Sequence, residues 1–210
     1  MKKQKLYLIG AGGLARQIDS SPEADIVQCY ITMDNEAIEP MQDRTTKIKN
    51  WEELDKTKEY IVAIADNKAR EQVVNELKTS GIKIGSFVVR SPLNFAEFGE
   101  GCICLSYNQF SKGVQISKYS IICEDVGLGH DTIIHEYNFI APSTKIGAEV
   151  SIGKYTFLGM SITILPKITI GEECIISAKT LVRKNIPNHG KLLGDKLITK
   201  RTSTSSTKNL

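Results

Sequence analysis

The chain contains 210 residues, of which 41% are hydrophobic, and its formal net charge is +3. This length and apolar content suit one elongated domain or two small ones. The small net charge gives no reason to expect a nucleic-acid partner, and no apolar stretch is long enough for a bilayer-spanning helix, so membrane insertion is not expected either.

The first predicted element is a strand from Leu6 to Ile9, which runs directly into a glycine-rich turn and a helix that ends around Ser20. Gly10, Gly12 and Ala15 have the G-x-G-x-x-G/A spacing that lets backbone amides and a helix N-terminus approach a phosphate. The strand is too short for the apolar region of a secretory signal and ends in glycine, which favours a cytoplasmic protein.

A second predicted strand, from Asp25 to Ile31, leads to Asp34, where a ribose-binding acid is expected. Only about ninety residues precede the repeat region described below, whereas a complete dinucleotide-binding fold has two mononucleotide-binding halves. The N-terminal segment therefore predicts half of such a fold and a site for one nucleotide.

The remaining elements before the repeat region follow from helix caps and apolar runs. They are a short helix capped by Asn50 and Glu53, a strand from Tyr60 to Ala65, a helix capped by Asp66 and Asn67 that ends at Gly81, and a strand from Ile82 to Val89, with a hinge at Ser91 and Pro92.

From Phe98 onward, every sixth residue is apolar, and we call these residues rungs. The fifteen rungs are Phe98, Cys104, Phe110, Ile116, Ile122, Leu128, Ile134, Ile140, Ile146, Ile152, Leu158, Ile164, Ile170, Ile176 and Val182. A period of six fits neither an α-helix nor a simple alternating strand over this length. It is typical of a hexapeptide parallel β-helix, and a β-sandwich with accidental spacing is the weaker alternative.

Three hexads make one three-sided coil of eighteen residues, so fifteen hexads predict about five coils stacked at the usual strand spacing. The rungs form the core, and the residue after each rung is usually small, which we interpret as a tight bend. The fourth residue after each rung is compact or β-branched. Two of the five cysteines, Cys102 and Cys174, occupy this position, and since Cys29, Cys104 and Cys123 complete no metal-binding spacing, we expect reduced thiols and no metal.

The hexad pattern stops after Val182. Residues 183–200 are expected to form a loop and a final segment that covers the last coil, because an open sheet edge invites aggregation. The last ten residues are rich in Ser and Thr and are expected to be a disordered tail. The predicted domains are residues 1–91, 92–186 and 187–210.

These features together resemble the hexapeptide-repeat acyltransferases, in particular the sialic acid O-acetyltransferases and the bacterial amino-sugar acetyltransferases. The resemblance implies an α/β half-Rossmann domain followed by a left-handed parallel β-helix. It also implies that the N-terminal domain binds the nucleotide of a nucleotide-linked sugar. The residues carried over to this pocket are Gly10, Gly12, Gly13, Asp34, Ala65, Asp66 and Asn67.

His130 and Asp131 match the His-Asp or His-Glu signature of these enzymes, and neither is a rung. An amine or hydroxyl must lose a proton as it attacks a thioester, and imidazole has a suitable pKa. The resemblance therefore makes His130 the general base, and an adjacent carboxylate such as Asp131 can orient the ring. His135 is a candidate substrate contact, and Phe139 stands where some relatives have a second histidine.

The resemblance further implies a homotrimer with acetyl-CoA in the cleft between two chains. The residues expected along the acetyl-CoA are Phe139, Gly147, Ala148, Met160 and Ala178, of which Gly147 and Ala148 are candidate oxyanion donors. The expected reaction is transfer of acetyl to the amine of a nucleotide-linked amino sugar for surface polysaccharide or glycan.

Three alternatives remain open at this point. The acceptor can be a hydroxyl of sialic acid or a related sugar, or the prism can be a trimeric scaffold without catalysis. A zinc centre like that of the γ-class carbonic anhydrases is disfavoured. His130 and His135 resemble its close pair, but no histidine lies upstream to supply the third ligand that zinc needs.

Overall fold

The computed structural model of the chain describes residues 6–20, 27–33, 44–89 and 91–199. Its first part is a five-stranded parallel sheet with the strand order β3-β2-β1-β4-β5. The elements of this part are β1 (Leu6–Ile9), α1 (Gly13–Asp19), β2 (Val27–Met33), β3 (Thr45–Ile48), a 3₁₀ turn (Trp51–Glu53), β4 (Glu59–Val62), α2 (Asn67–Thr79) and β5 (Lys83–Ile84).

The predicted helix caps are confirmed. The Asn50 side chain accepts from the Glu52 amide while the Glu53 carboxylate accepts from the Asn50 amide, at 3.0 and 3.2 Å. The Asp66 carboxylate accepts from the amide of Ala69 at 2.8 Å and starts α2. At 13 residues, α2 is the longest helix of the described ranges, and no helix there has the length and apolar content to cross a bilayer.

Two strand predictions need correction. β3 was not predicted, because Thr45–Ile48 has a mostly polar sequence; it pairs with β2, and its one apolar residue, Ile48, joins a buried cluster. The single strand expected from Ile82 to Val89 is two short strands, because the chain leaves one sheet at Gly85 and joins another. β5 pairs with β4, whereas β6 (Phe87–Val88) pairs with the second part of the molecule.

The second part is a three-sided prism of two-residue strands. Face one contains β7 (Glu97–Phe98), β10 (Gln115–Ile116), β13 (Ile133–Ile134), β16 (Ser151–Ile152) and β19 (Thr169–Ile170). Face two contains β6, β8 (Ile103–Cys104), β11 (Ile121–Ile122), β14 (Phe139–Ile140), β17 (Phe157–Leu158), β20 (Ile175–Ile176), β22 (Lys191–Leu193) and β23 (Lys196–Ile198). Face three contains β9 (Gln109–Phe110), β12 (Gly127–Leu128), β15 (Lys145–Ile146), β18 (Thr163–Ile164) and β21 (Leu181–Val182).

The prism confirms the hexad pattern and is a left-handed parallel β-helix. Consecutive strands that carry rungs on one face are eighteen residues apart and pair with each other, as in Gln115 with Ile133 and Ile116 with Ile134. Every rung from Phe98 to Val182 is the second residue of a strand, and all but Phe98 are buried. Because a rung points inward, its strand neighbour points outward.

The bend predicted directly after each rung is wrong in its position. The left-handed backbone conformation occurs at the third residue after a rung, for example at Asp131 and Glu149, with φ of 57° and 58°. The glycine after a rung serves close approach instead. A Cβ on Gly129 would lie 2.4 Å from the amide nitrogen of Ala148 in the next coil, so a larger residue there would push the coils apart.

Most buried polar residues at the fourth position after a rung are paired with backbone groups of a neighbouring coil, and the exception, Thr180, pairs with the hydroxyl of Ser177. The hydroxyl of Thr132 donates to the carbonyl of Gly147 at 3.0 Å, and that of Thr156 donates to Gly171 at 3.0 Å. Paired in this way, the hydroxyls avoid the cost of an unsatisfied buried polar group. These contacts repeat along the prism and hold successive coils in register.

The chain after Val182 adds further core residues and strands to the prism beyond the expected loop and covering segment. Ile186 and Leu192 join the core, β22 pairs with β20, and β23 folds back on β22 as a hairpin. The segment therefore covers the end of the last coil. The predicted tail, residues 201–210, lies outside the described residues.

The N-terminal domain packs on the outer side of face two. Leu14 and Ile18 of α1 lie in one apolar cluster with Ile103 and Ile121, the outward residues of β8 and β11. Both isoleucines are 0% exposed. At the neighbouring edge, between faces one and two, α2 packs on a column of stacked tyrosines. This column is formed by Tyr119, Tyr137 and Tyr155, with ring centroids 5.0 and 5.4 Å apart.

Candidate active site

His130 and Asp131 lie at the edge between face three and face one, directly after β12. Nδ1 of His130 is 2.8 Å from Oδ2 of Asp131, and the two side chains are 59% and 66% exposed. With Nδ1–H donated to the carboxylate, Nε2 is left unprotonated and able to accept a proton. The pair is therefore arranged as a base with an orienting carboxylate, and it faces solvent in the single chain.

The backbone fixes the pair from both neighbouring coils. The amide of Asp131 donates to the carbonyl of Lys112 at 3.2 Å, and the carbonyl of His130 accepts from the amide of Glu149 at 2.9 Å. Asp131 occupies the left-handed position of its turn, with φ of 57°. The repeat geometry thus places a carboxylate beside an imidazole without a dedicated loop.

Gly113 is a site residue that the sequence reasoning missed. It lies eighteen residues before Asp131, one coil away, and a Cβ there would be 2.1 Å from Oδ1 of Asp131. Any side chain at this position would displace the carboxylate. The signal in the sequence was a glycine one full coil before the predicted orienting residue.

Of the two predicted oxyanion donors, the structure leaves one accessible. The amide of Gly147 donates to the carbonyl of Ile164 at 2.9 Å, so it is committed to the coil. The amide of Ala148 donates no hydrogen bond to a described residue. Since Ala148 is one coil above His130, its N–H is the better candidate for an oxyanion.

A groove of about 430 Å³ lies on face three beside this edge. Leu93 and Phe95 form one wall and are 56% and 54% exposed. Opposite them, Lys145 pairs with Asp125 at 2.7 Å and lowers the pKa of that carboxyl. The groove is a second feature that the sequence did not indicate, because Leu93 and Phe95 precede the repeat pattern.

The other residues predicted to contact substrate or acetyl-CoA are spread around the prism. His135 follows β13 on face one, is partly buried, and its ring makes no hydrogen bond to a described residue. Phe139 points outward from face two and stacks on Phe157 at 5.3 Å. Met160 and Ala178 lie at the edge between faces two and three, one coil apart, and both are exposed. A single prism therefore cannot bring Phe139, Ala148 and Met160 to one ligand.

The glycine turn lies at the carboxyl edge of the first sheet, where β1 and β4 are neighbours. In such sheets, a ligand binds at the point where the strand order changes direction, here between β1 and β4. Gly10 has φ of 100°, and a Cβ there would be 3.1 Å from the carbonyl oxygen of Ala63. At Gly12 and Gly13 a Cβ would meet nothing within 4 Å. The turn thus leaves open space above α1.

The remaining predicted pocket residues have different surroundings. Ala65 and Asp66 are exposed at the end of β4, but the Asp66 carboxylate is engaged in capping α2. Asn67 is buried and donates to the carbonyl of Thr156 in the prism at 3.3 Å. Asn67 is therefore a contact between the two parts of the chain, a role the sequence did not suggest. Asp34 lies outside the described residues.

The two halves of the predicted site lie on opposite sides of the prism. The N-terminal domain covers face two, and the edge that carries His130 is the edge opposite that face. Among the described residues, no three His, Cys, Asp or Glu side chains are grouped as metal ligands would be. The five cysteines are free, and four of them are buried.

The sequence of residues 5–77 matches the family model of the PglD N-terminal domain. No curated protein matches the whole sequence significantly. Solved structures are similar over nearly the whole chain. A variant of perosamine N-acetyltransferase from Caulobacter crescentus, in complex with CoA and GDP-perosamine, has a TM-score of 0.79 and 20% identity, and the alignment covers 93% of this chain and 97% of that one.

Two further structures have the same arrangement. The acetyltransferase domain of PglB from Neisseria gonorrhoeae, in complex with acetyl coenzyme A, has a TM-score of 0.79 at 18% identity, over 93% of this chain and 98% of that one. WeeI from Acinetobacter baumannii has a TM-score of 0.73 at 19% identity, over 93% and 99%. Residues 5–77 are therefore similar to the PglD N-terminal domain, and nearly the whole chain has the same fold as these acetyltransferases, which is the fold that the resemblance predicted.

Proposed function

We propose that the protein transfers acetyl from acetyl-CoA to the amine of a nucleotide-linked amino sugar, with His130 as general base. The observation that carries this proposal is the pair of His130 and Asp131, 2.8 Å apart, exposed at an edge of the prism and outside its core. The core does not require a histidine there. The similar folds of an N-acetyltransferase with CoA and GDP-perosamine and of an acetyltransferase domain with acetyl coenzyme A support the same reaction class.

The residues of the site suit each proton transfer of this reaction. Nε2 of His130 takes a proton from the amine as its nitrogen attacks the thioester carbonyl, which gives a tetrahedral intermediate. The C–S bond then breaks, the amide product forms, and the proton on Nε2 passes to the departing coenzyme A thiolate. Asp131 stabilises the imidazolium between these two transfers.

The oxyanion of the intermediate needs a hydrogen-bond donor placed before the reaction begins. The amide of Ala148 fits this role, because it is uncommitted and one coil above the base. Gly129 keeps this amide uncovered, since a Cβ at position 129 would lie 2.4 Å from it.

The nucleotide would bind at Gly10, Gly12 and Gly13, with Asp34 as the expected ribose contact. Since this pocket and His130 lie on opposite sides of one prism, the acceptor reaches the base of a neighbouring chain in our proposal. A homotrimer with three equivalent sites satisfies this requirement by symmetry. Met160 and Ala178 would then line the acetyl-CoA, with His135 near the acceptor. Phe139 packs against the N-terminal domain and on Phe157, so we do not expect it to contact the acetyl-CoA. We place this activity in the cytoplasm, in the synthesis of surface polysaccharide or glycan.

The test is thiol release from acetyl-CoA with UDP-, dTDP- and GDP-linked 3-amino and 4-amino sugars, with mass spectrometry of the product. His130→Ala is expected to lower kcat by about 10²–10⁴-fold. Lys154→Ala is the matched control, because Lys154 also occupies the second place after a rung and is 43% exposed. It should retain wild-type turnover.

The possible results of this assay distinguish the candidate activities. Release that requires both an amino sugar and His130 supports the proposal. Release only with sialic acid or another hydroxyl acceptor identifies an O-acetyltransferase. Binding of coenzyme A without turnover on any acceptor identifies a scaffold, and near-wild-type turnover of His130→Ala removes His130 from the mechanism.

A further inference from the structure

A crevice of about 460 Å³ separates the N-terminal domain from the upper coils of face two. One wall is the turn between β4 and α2, with Ala65, Asp66 and Asn67. The other wall is formed by Phe157 and Ile175, the outward residues of β17 and β20. The N-terminal domain fully covers the outward residues Ile103 and Ile121 lower on the same face, but Phe157 and Ile175 remain 40% and 38% exposed.

This apolar wall is continuous with the glycine turn. The ring of Phe157 stacks on that of Phe139 with an angle of 9° between their planes. Phe139 in turn packs against the same apolar cluster as Ala11, which lies inside the turn. A ligand at the carboxyl edge of the sheet would therefore have face two beside it, with an aromatic ring available for stacking.

The rim of the crevice is polar. Glu173 and Asp66 supply carboxylate oxygens, which accept hydrogen bonds from N–H or O–H groups. Lys68 lies 3.4 Å from the centre of the Tyr155 ring and 3.3 Å from Glu173. An apolar wall with acceptors at its rim suits a base or a sugar ring. Phosphates fit better at the glycine turn, where a Cβ at Gly12 or Gly13 would meet nothing within 4 Å.

Arg70 of α2 holds the two walls together. It is 1% exposed, and its guanidinium donates only to oxygen atoms of the protein. On the prism side it binds the carbonyls of Tyr119 and Asn138, at 2.8 and 3.1 Å. On the domain side it binds the carbonyls of Ile64 and Ala65 at 2.7 and 3.0 Å, and the side-chain oxygen of Asn67 at 2.9 Å.

This arrangement is unusual for a buried charge. None of the five acceptors is a carboxylate, and burial lowers the pKa of Arg70 to about 10, so the group is still charged at neutral pH. A buried charge that has no carboxylate among its hydrogen-bond acceptors is costly, although the charge of nearby Asp66 partly offsets the effect of burial on the pKa of Arg70. The planar guanidinium group has five N–H donors in a fixed geometry, so Arg70 can hold three backbone segments at fixed separations. Two of the three segments are prism coils, and the third is the turn that lines the crevice.

We propose that this crevice binds the base or sugar ring of the nucleotide-linked sugar, and that Arg70 is the positioning residue that sets the separation of its walls. The inference rests on the proposed function. It adds Phe157 and Ile175 of the prism to a pocket that the sequence assigned wholly to the N-terminal domain.

The test is calorimetric binding of UDP, GDP, dTDP and coenzyme A, and of the amino sugar that the wild type accepts, to Arg70→Lys and Phe157→Ala. Arg70→Lys keeps the charge but loses the planar guanidinium group. Both variants should weaken binding of that nucleotide sugar by at least about tenfold, with coenzyme A affinity changed less than about twofold. Leu181→Ala is the matched control, since Leu181 is the outward residue of β21 on face three and is 39% exposed. It should change neither affinity.

A loss of affinity for the nucleotide sugar but not for coenzyme A indicates that Arg70 positions the crevice. A general loss of structure would weaken the binding of both ligands. Phe157→Ala keeps the inference testable if Arg70→Lys fails to fold, because Phe157 is partly exposed. A lower affinity for coenzyme A alone would overturn the inference and assign the crevice to the acyl donor. Unchanged affinity for the nucleotide sugar in both variants would also overturn it, while the proposed function would stand. A wild type that binds and uses no nucleotide sugar would overturn both.

Discussion

The prism and the N-terminal domain differ in how much of each residue's role follows from its place in a repeat. In the prism, a position counted from the nearest rung decides whether a side chain is core, turn or surface, so Ile152 and Ser151 have opposite environments one residue apart. In the N-terminal domain, no period exists, and each glycine or cap has its own cause. A residue that departs from the prism's repeat, such as His130 or Gly113, is therefore a sharper functional signal than a glycine in the domain.

The largest expected effect tests the repeat itself. Ile152→Ala removes a fully buried rung and should lower the free energy of unfolding by about 2–5 kcal/mol, because the stacked coils cannot close the cavity. Ser151→Ala, on the outward side of the same strand, should change it by less than about 0.5 kcal/mol. Urea denaturation measures both, and equal losses would show that the rungs are not the core.

The next largest effect is expected at Gly113, which lies one coil below Asp131. Gly113→Ala should lower kcat by about tenfold or more, because the new Cβ displaces the carboxylate that orients His130. Non-glycine residues occupy the same left-handed position in other coils, as at Glu149, so the fold should tolerate the change.

A double-mutant cycle checks this route of action. If Gly113 acts through Asp131, Gly113→Ala should have little further effect on kcat in an Asp131→Asn background. Additive losses would contradict the link between the two residues.

A pair of glycines in the N-terminal domain separates ligand contact from backbone geometry. Gly12→Asp should raise the KM for the nucleotide sugar by about tenfold with little change in Tm, because it adds a negative charge in open space where phosphates are expected. Gly10→Ala should instead lower Tm, since Gly10 has a positive φ and contacts Ala63. Thermal melts and steady-state kinetics of both variants test this, and an unchanged KM in Gly12→Asp would place the nucleotide elsewhere.

The smallest effect lies at the contact between the two parts. The hydroxyl of Tyr119 donates to Glu100 at 2.5 Å and, with Lys78 and Lys118 nearby, holds the pKa of that carboxyl below its ordinary value of 4.5. A carboxylate with a lowered pKa stabilises the fold above the unfolded-state value and loses this contribution as the pH falls.

The Tm should therefore decrease on acidification below about pH 4.5, and less steeply in Glu100→Gln than in wild type. Glu97→Gln, at an exposed position of face one, serves as the control. A wild-type acid dependence in Glu100→Gln would show that this contact does not contribute.

The same contrast explains what the sequence could predict. The rungs, the buried fourth positions and the pair His130–Asp131 follow from periodicity and a local motif. β3 could not be found, because Thr45–Ile48 carries no apolar pattern and depends on pairing with β2. The role of Arg70 was also hidden, since a charged residue in a polar helix is usually exposed, and only the docking of α2 on the tyrosine column buries it. The sequence also could not show that the nucleotide pocket and the base lie on opposite sides of one prism. This follows only from knowing which of the three faces carries each residue.

The central claim is that a complete site needs two chains, one with the glycine turn and one with His130. Co-expression of His130→Ala with Gly12→Asp under different tags, and purification of assemblies that carry both tags, tests it most directly. His130→Ala alone should be nearly inactive, and Gly12→Asp alone should keep only about a tenth of wild-type thiol release when the nucleotide sugar is far below its KM. In every mixed trimer, one of the three sites combines an intact pocket with an intact base from the neighbour, so thiol release should recover to about a third of the wild-type value. Mixed assemblies as inactive as the separate variants would contradict the claim and place both halves of the site in one chain.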